Sequence, residues 1–265
     1  MKFSIVANPK QQKMKKILTK VIGFLEDFDL EEETAKIVGL QGNPIDKLKG
    51  EIVISLGGDG TLLYILDNLN KPVFGINCGG VGFLTEIEHS DDLFNAFKKL
   101  EKNNYELQKL NRIDAFLNDL NVGTALNEVV LHSSRVAKIQ GFEIEIDGSI
   151  ADSFRGDGLI IATPTGSTSY AMSVGSPILY PTMESHIVVP MAAYRIGARP
   201  LVVPSKYTIN TRITGHPEAV MVIDGKDEIM IKKEDKLHFK KSKDPVELIR
   251  FKDNFFDKVR SKLRL

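Results

Sequence analysis

The sequence has almost no cysteine and no net charge, and both absences narrow the classes of protein to which it can belong. Cys78 is the single cysteine among 265 residues, so the chain can form neither an internal disulfide nor a thiolate metal cluster. Its 35 Lys and Arg side chains balance 35 Asp and Glu side chains, so no global field recruits nucleic acid or an anionic membrane. These features predict an ordinary globular protein of a reducing compartment, and we expect it in the cytoplasm.

The sequence also lacks a hydrophobic run that could cross a membrane. The longest apolar region, residues 187–204, contains Arg195, Arg199 and three prolines, which a membrane-spanning helix does not tolerate. Residues 1–7 are typical of a first strand rather than of a signal peptide. We therefore expect a soluble protein that binds no membrane.

Several common catalytic motifs are missing as well. The sequence has no Gly-x4-Gly-Lys-Ser/Thr P-loop, no complete Gly-x-Gly-x-x-Gly, no His-Arg-Asp catalytic loop and no Gly-x-Ser-x-Gly elbow. The five histidines show no metal-ligand spacing; they are His89, His132, His186, His216 and His238. Common nucleotide enzymes and hydrolases of these types are excluded, and no protein cluster of metal ligands is expected.

The N-terminal part of the sequence alternates predicted strands with predicted helices. Strands are predicted at residues 3–7, 36–40, 52–56 and 71–77, and helices at residues 14–25, 61–69 and 91–101. For the last helix we expect Ser90 as N-cap and one apolar face, formed by Leu93, Phe94, Phe97 and Leu100. The alternation predicts an α/β domain at residues 1–102, doubly wound on a mostly parallel sheet, with ligands at the carboxyl ends of the strands.

From about residue 105 the sequence becomes rich in strands. They are predicted at residues 113–117, 125–132, 142–146, 159–162, 187–189, 201–203, 207–213, 219–223 and 228–231. We predict a β-rich, mostly antiparallel domain at residues 103–238. Residues 251–265 return to helical spacing, with an apolar face of Phe255, Phe256, Val259 and Leu263. We expect the segment at residues 239–265 to pack back on the first domain.

The first candidate site is a glycine turn that follows a predicted buried strand. Residues 52–56 are a short β-branched run, and Gly57-Gly-Asp-Gly-Thr61 comes next. Glycines let the backbone approach a ligand, and the N–H groups of the following helix turn point at an anion. Asp59 beside phosphates requires either a bridging metal ion or a role as proton acceptor. The alternative is a plain glycine turn in which Asp59 is the helix N-cap.

A second candidate site lies in the strand-rich domain. Arg155-Gly-Asp-Gly158 puts a carboxylate between glycines just before a predicted strand, and a dense group of hydroxyl side chains follows. They belong to Thr163, Thr165, Ser167, Thr168, Ser169, Tyr170 and Ser173. Hydroxyls donate and accept hydrogen bonds, so they suit sugar hydroxyls, phosphate oxygens and carboxamides. A Ser/Thr-rich turn with an N-cap is the alternative.

Two further acidic residues have both a ligand-binding and a structural interpretation. Glu128 follows Asn127 in an otherwise apolar run, where a buried acid without partners is costly. It either faces solvent at a strand edge or accepts hydrogen bonds from a ligand, and we favour the ligand. Asp224 precedes Gly225 at a predicted hairpin, where a plain turn is favoured.

Together, these motifs resemble those of NAD kinases. Gly-Gly-Asp-Gly-Thr occurs in a superfamily that includes phosphofructokinases, diacylglycerol and sphingosine kinases, and NAD kinases. The order and spacing that resemble NAD kinases involve residues 57–61, 75–84, 126–128, 155–158, 163–170 and 199–202. The resemblance implies transfer of the γ-phosphoryl of ATP, or of polyphosphate, to the 2′-hydroxyl of the adenosine ribose of NAD, giving NADP. It also implies Mg²⁺ or another divalent cation held with the donor phosphates.

The resemblance further implies roles for individual residues. Asp59 would be the catalytic carboxylate near the reacting hydroxyl. The phosphate-binding turn would consist of Gly57, Gly58, Gly60 and Thr61. The residues implied to contact NAD are Asp59, Gly60, Phe83, Asn127, Glu128, Lys138, Arg155, Asp157, Thr165, Thr168, Ser169, Tyr170, Ser173, Ala192 and Asp224. Among them Asp157 would lie near the nicotinamide, and Ala192 would face NAD bound mainly by a neighbouring subunit of a homodimer or homotetramer.

Two positions depart from the family pattern, and two rival functions share some of its motifs. Lys226 stands where the family often has Gln, and Tyr64 stands where bacterial members often have a basic residue. A lipid kinase of the same superfamily is disfavoured because the sequence shows no amphipathic membrane helix. A non-catalytic NAD(P) sensor is disfavoured by the intact Asp59 and its glycine turn.

Overall fold

The structure is a computed structural model that describes residues 1–263, and it divides into two compact units. The first consists of Met1–Lys109 and the described residues from Val246 onward, and the second of Leu110–Pro245. Both boundaries lie later in the chain than the predicted ones at 102 and 238. The reason is that a strand at residues 106–110 still joins the first sheet, whereas a strand at residues 237–241 joins the second unit.

The secondary structure consists of helices, strands and two short 3₁₀ turns. The helices are α1 (Met14–Ile22), α2 (Glu32–Val38), α3 (Asp59–Asn68), α4 (Leu93–Glu101), α5 (Tyr170–Ser173) and α6 (Phe255–Leu263). The strands are β1 (Phe3–Ala7), β2 (Phe28–Leu30), β3 (Ile52–Gly57), β4 (Val73–Asn77), β5 (Ile87–Glu88), β6 (Glu106–Leu110), β7 (Ile113–Leu117), β8 (Leu120–Ala125), β9 (Glu128–Ser133), β10 (Gln140–Ile146), β11 (Ser149–Gly156), β12 (Gly158–Ala162), β13 (Ser185–Met191), β14 (Leu201–Pro204), β15 (Ile209–Ile213), β16 (Glu218–Ile223), β17 (Glu228–Lys232), β18 (Leu237–Lys241) and β19 (Val246–Arg250). The 3₁₀ turns span Ile45–Lys47 and Thr165–Thr168.

The first unit is built on one sheet with the strand order β2-β1-β3-β4-β19-β6, to which β5 adds beside β4. The pairings of β1 with β2 and β3, and of β4 with β3, β5 and β19, are parallel. Strands β1, β3 and β4 are buried along their whole length, as expected of a parallel sheet covered on both faces. Because β3 and β4 are parallel neighbours, the glycine turns that follow them lie at the same edge of the sheet.

Three local predictions for this unit are wrong. Residues 36–38 of the strand expected at 36–40 belong to helix α2, because the carboxylate of Glu31 caps the helix by accepting hydrogen bonds from the N–H groups of Glu33 and Thr34. Helix α4 begins at Leu93 with Asp92, rather than Ser90, as the N-cap. Phe94 is 53% exposed because the buried face of α4 is formed by Leu93, Ala96, Phe97 and Leu100.

The second unit is a pair of six-stranded sheets that share one core. Their strand orders are β11-β10-β15-β18-β7-β8 and β14-β13-β12-β9-β16-β17, and the recorded pairings within both are antiparallel. Side chains of both sheets pack in this core, including Phe142, Phe239, Leu131 and Ile161. The opposite face of the second sheet packs against helix α5 and the segment near Leu179. The predicted α/β and antiparallel β-rich fold classes are confirmed.

The C-terminal segment returns to the first unit from Val246 onward, whereas the prediction placed the start of this segment at residue 239. Strand β19 enters the parallel sheet beside β4, and Phe251 packs on Phe74 with 5.2 Å between the ring centroids. Helix α6 has no fully buried side chain: Phe255, Val259 and Leu263 of the predicted apolar face are half-buried, whereas Phe256 is 70% exposed. Residues 264 and 265 of the predicted helix lie outside the described residues. Among residues 1–263 no helix is long and apolar enough to span a membrane.

Candidate active site

The first glycine turn joins the end of a buried strand to the start of a helix, as predicted. Gly57 is the last residue of β3, Gly58 is the N-cap of α3 and Asp59 is its first residue. A Cβ atom on Gly57 would overlap the side chain of Thr61, so the turn requires glycine there. The first backbone N–H groups of α3 lack partners within the helix and favour an anion, which makes the turn suitable for phosphate.

The carboxylate of Asp59 is held by a second glycine turn of the same unit, residues 79–84, which follows β4. Its Oδ2 accepts a hydrogen bond from the N–H of Phe83 at 2.9 Å, and its Oδ1 accepts one from the N–H of Leu84 at 3.0 Å. No side-chain bond caps the helix at Gly58, so the N-cap interpretation of Asp59 is wrong. Each carboxylate oxygen has a second lone pair, which leaves Asp59 able to accept a proton.

A cavity of about 350 Å³ lies beside this turn within the first unit. It is lined by Gly60, Thr61 and Tyr64 of α3, by the end of β1 and the following Asn8-Pro9, and by Glu31 and Glu33. The Glu31 carboxylate is occupied in capping α2, so it does not compete for a ligand in the cavity. Tyr64 is 46% exposed at the cavity.

In the second unit, the backbone around Asn127 and Glu128 is held by Asp224. Its Oδ1 accepts hydrogen bonds from the N–H groups of Asn127 and Glu128 at 2.9 and 3.0 Å, and its Oδ2 accepts one from Leu126 at 2.6 Å. The N–H of Asp224 in turn donates to the carbonyl of Glu128 at 3.0 Å. Burial raises the pKa of Asp224, and the three backbone N–H groups oppose that rise. The structure thus gives this residue a role in fixing the Asn127-Glu128 backbone.

The hydroxyl-rich segment lies against the same backbone. The Thr163 hydroxyl donates to the carbonyl of Leu126 at 2.5 Å, and the Thr163 N–H donates to the carbonyl of Asn127 at 2.8 Å. A Cβ atom on Gly166 would overlap the Asn127 carbonyl, so only glycine permits this approach. The Ser169 hydroxyl donates to Oε1 of Glu128 at 3.1 Å. The structure therefore brings Asn127, Glu128 and the hydroxyl cluster together, although they are far apart in sequence.

A cavity of about 490 Å³ runs along β9 from Glu128. Glu128, Val130 and His132 line it because alternate residues of a strand point to the same face. The remaining lining residues are Ser133, Ser134, Tyr170, Val220, Val222, Gly225 and Glu228. The four steps from Glu128 to His132 correspond to about 14 Å of strand. Periodicity predicted these strands, but not which of their faces borders a cavity.

Glu128 is buried, and its Oε2 has no hydrogen-bond partner among the described residues. Burial, aided by the charge of Asp224, raises the pKa of Glu128 to about 7. The Ser169 hydroxyl and the Tyr170 backbone N–H oppose that rise. An unpartnered buried carboxylate at a cavity is costly to the fold unless a ligand supplies hydrogen-bond donors. The strand-edge alternative, with Glu128 in solvent, is wrong.

Other predicted NAD contacts lie near the start of β12, away from Glu128. The N–H of Asp157 donates to the carbonyl of Met191 at 3.0 Å, and the N–H of Ser133 donates to the carbonyl of Asp157 at 2.9 Å. Arg155 is exposed at the end of β11, and its carbonyl accepts from Tyr194 at 2.8 Å. Ala192, exposed just after β13, has φ +45°, a strained value for alanine. These residues form a second group, separate from Glu128.

The remaining predicted NAD contacts lie at several separate positions in the two units. Phe83 belongs to the second glycine turn of the first unit, and Lys138 is exposed in the loop between β9 and β10. Thr165 is buried, and its hydroxyl has no partner among residues 1–263. Tyr170 begins α5 and lines the cavity, whereas Ser173 is exposed at the end of that helix.

The sequence analysis did not predict the residues that contact the backbone carbonyls next to Asp59. Arg250 and Lys258 donate hydrogen bonds to the carbonyls of Leu84 and Phe83, and Arg250 also donates to Glu86. Arg250 and Glu86 are 164 positions apart in sequence, and neither lies in a motif. In the described part of the chain no three His, Cys, Asp or Glu side chains form a group that could hold a metal ion.

We expect Glu128→Gln to stabilise the ligand-free protein at about pH 8 and to weaken NAD binding. The folded pKa of about 7 lies above the ordinary value of 4.5, so Glu128 costs stability as the pH rises through this window and costs most above it. The difference between the two pKa values corresponds to roughly 3 kcal/mol in the free energy of unfolding. Thermal unfolding of both proteins at about pH 8 and below about pH 4.5 measures the gain, which should vanish in acid. Glu228→Gln, an exposed acid of the same cavity, is the control; equal behaviour of the two variants would contradict the burial of Glu128.

Comparison with known proteins assigns both parts of the chain to one family. The model of the ATP-NAD kinase N-terminal domain matches residues 4–105, and that of the C-terminal domain matches residues 126–251. An NAD kinase from Thermoplasma volcanium is 37% identical over 87% of this chain and 85% of its own. One from Thermoplasma acidophilum is 33% identical over 99% of this chain and 98% of its own.

Two solved structures share the fold. The NAD kinase from Archaeoglobus fulgidus in complex with ATP aligns with a TM-score of 0.80 at 30% identity, over 100% of this chain and 99% of that one. Yeast NADH kinase complexed with NADH aligns with a TM-score of 0.89 at 18% identity, over 100% of this chain and 88% of that one. With two family models and full-length relatives in agreement, the chain belongs to the NAD kinase family, enzymes that phosphorylate NAD to NADP.

Proposed function

We propose that Asp59 is the general base of this phosphoryl transfer, taking the proton of the 2′-hydroxyl on the adenosine ribose of NAD. The observation that carries the proposal is the fixed carboxylate, which two backbone N–H groups hold at the first residue of α3. Phosphoryl transfer depends mainly on positioning and charge neutralisation. A base held by the backbone meets the first requirement because its carboxylate does not rotate freely.

ATP is the proposed phosphoryl donor, with its phosphates at the turn of Gly57, Gly58, Gly60 and Thr61. The N-terminus of α3 supports this placement because its N–H groups and helix dipole favour negative charge. The cavity of about 350 Å³ beside Gly60 and Thr61 offers room for part of the donor. The related A. fulgidus enzyme was solved in complex with ATP.

The site fits a divalent cation that is held chiefly by the donor phosphates. Asp59 places one carboxylate among backbone N–H donors, and a carboxylate beside phosphates is repulsive unless a cation stands between them. Mg²⁺ commonly binds through one or two carboxylates and substrate phosphates rather than through a protein cage. When bound, the ion neutralises the charge that develops on the transferring phosphoryl group.

NAD is proposed to occupy the second unit, with Glu128 and Asp157 at separate points of contact. The unpartnered Oε2 of Glu128 suits ribose hydroxyls, and the adjoining cavity of about 490 Å³ provides apolar walls for a ring. Phe83, Asn127, Lys138, Arg155, Thr165, Thr168, Ser169, Tyr170 and Ser173 remain proposed contacts. Asp224 is proposed to act on NAD through the backbone that it holds.

A homodimer or homotetramer in the cytoplasm remains part of the proposal. Ala192 is followed by Tyr194 and Ile196, which are 82% and 85% exposed. Large apolar side chains exposed this close to proposed NAD contacts favour a subunit interface. The single buried cysteine is compatible with a reducing compartment.

One assay tests the reaction. The protein is incubated with NAD, Mg²⁺ and either ATP or polyphosphate, and NADP is measured with an NADP-specific dehydrogenase. We expect NADP with ATP and Mg²⁺ and none when the metal is removed by a chelator. NADP formed equally well in the chelator would contradict the proposed cation, and none with either donor would contradict the proposed transfer.

A further inference from the structure

We infer that Lys258 of helix α6 is a positioning residue for the reaction, acting with Arg250 on the backbone of residues 83–85 to keep the Asp59 carboxylate in place. This inference rests on the proposed role of Asp59. It assigns a catalytic purpose to the C-terminal segment, which carries none of the motifs described above.

The two residues whose N–H groups hold Asp59 are themselves held through their carbonyl groups. Phe83 donates its N–H to Asp59, and its carbonyl accepts a hydrogen bond from Nζ of Lys258 at 3.1 Å. Leu84 donates its N–H to Asp59, and its carbonyl accepts from Arg250 at 2.8 Å. The carbonyl of Thr85 accepts from both cations. A shift of either cation therefore moves the groups that hold the carboxylate.

The Arg250 side chain is 12% exposed and Lys258 is half-buried, and the carbonyls of residues 83–85 accept most of the hydrogen bonds recorded for these two cations. Arg250 also donates to Gln108 at 2.9 Å and pairs with Glu86 at 3.3 Å, and Glu86 accepts the N–H of Phe251 at 2.8 Å. The side chain of Glu86 is 2% exposed. Removing cations from water is costly unless hydrogen bonds satisfy them, and here the backbone carbonyls of Phe83, Leu84 and Thr85 do so.

The hydrogen bonds that Lys258 donates to the backbone of residues 83–85 also depend on pH. Burial, followed by the charge of Arg250, lowers the pKa of Lys258 to about 8, while Glu86 and Asp59 oppose the fall and Lys262 adds to it. Lys258 is therefore charged below about pH 8 and neutral above it. A charged donor forms hydrogen bonds roughly twice as strong as a neutral one, so the hold on the Phe83 carbonyl weakens as the pH rises through this value.

The test compares Lys258→Met, Lys258→Arg and the control Arg260→Met. Arg260 lies on the same helix, exposed and paired only with Asp257 among recorded ion pairs, so its variant should match the parent enzyme. Because Lys258 is only half-buried and methionine keeps its unbranched apolar stem, Lys258→Met should fold, which its circular dichroism verifies. We expect Lys258→Met to lower kcat by about 10- to 10²-fold, the range caused by small misplacements of catalytic groups, with the KM and dissociation constant for NAD unchanged.

The pH profile separates positioning from mere stabilisation. We expect kcat of the parent enzyme to fall above about pH 8, and this fall to be absent in Lys258→Met. Lys258→Arg should restore most of kcat and move the fall to higher pH, since guanidinium stays charged. A normal kcat in Lys258→Met, or an unchanged alkaline limb in all variants, would overturn the inference. Asp59→Asn, assayed in parallel, separates the Lys258 inference from the proposed role of Asp59. If Asp59→Asn is inactive while Lys258→Met keeps a normal kcat, only the Lys258 inference is wrong. If Asp59→Asn is active, the proposed general base is wrong.

Discussion

Replacing Asp59 with asparagine is expected to lower kcat by at least about 10²- to 10⁴-fold, the contribution typical of a positioned general base. Asparagine cannot accept the hydroxyl proton at neutral pH. The carboxylate in the parent protein is fixed by Phe83 and Leu84, so no other acid of this turn can take its place. Rapid-quench or coupled assays at saturating ATP and NAD measure the effect on kcat.

The variant must also be shown to remain folded and able to bind NAD. One oxygen of Asp59 becomes an NH₂ group that faces a backbone N–H, which we expect to cost about 1–3 kcal/mol of stability. Asp59→Ala removes that conflict and should be equally inactive. Calorimetry should give an unchanged dissociation constant for NAD in both variants. Near-normal turnover in either one would remove Asp59 from the mechanism.

The largest expected effect on the second unit comes from Asp224→Ala. This change leaves the N–H groups of Leu126, Asn127 and Glu128 without their acceptor, and buried donors left unsatisfied cost about 1–3 kcal/mol each. We expect the free energy of unfolding to fall by about 3 kcal/mol or more, and NAD affinity to fall because the Asn127-Glu128 backbone is released. Urea unfolding and calorimetry measure the two effects.

Asp227→Ala is the matched control, since Asp227 is exposed in the same turn between β16 and β17. It should leave both stability and NAD affinity unchanged. The outcome also separates two roles for Asp224. A loss of affinity without loss of stability would mean that Asp224 contacts NAD directly, and would contradict the role argued from its hydrogen bonds.

The sequence-based prediction of the glycine turn was sound in its location and incomplete in its contacts. Strand β3, the turn and helix α3 lie where the apolar run and glycines predicted them, because these signals are local. The partner of Asp59 was not predictable in this way. Phe83 lies 24 positions away in a second turn, and only the parallel pairing of β3 with β4 brings the two turns to one edge.

The same distinction explains the errors. Residues 36–40 contain the β-branched pair Ile37-Val38 and suggested a strand, but the Glu31 cap and the left-handed Gly39 at φ +71° delimit a helix. The terminal helix was expected to present an apolar face of Phe255, Phe256, Val259 and Leu263. Phe256 is instead exposed, and Lys258 of α6 donates hydrogen bonds to carbonyls 173 and 175 positions earlier. Polar contacts over such separations leave no periodic trace in a sequence.

For Asp224, the sequence favoured a hairpin turn and the family resemblance implied a contact with NAD. Both were reasonable because an Asp-Gly pair suits a turn and a carboxylate suits a ligand. Its hydrogen bonds to residues 96 to 98 positions earlier reveal a third role, in which the carboxylate organises the backbone beside Glu128.

The amino-acid sequence alone was sufficient for the family, the order of the two fold classes and the location of the glycine turn before α3. Strand and helix periods, glycine turns and motif spacing act over a few residues, so they can be read without coordinates. Tertiary structure alone decided which atoms hold Asp59, which carboxylate is left unpaired at Glu128, and how Lys258 reaches the second glycine turn. Those contacts join distant residues, and they depend on strand pairing and burial rather than on local sequence.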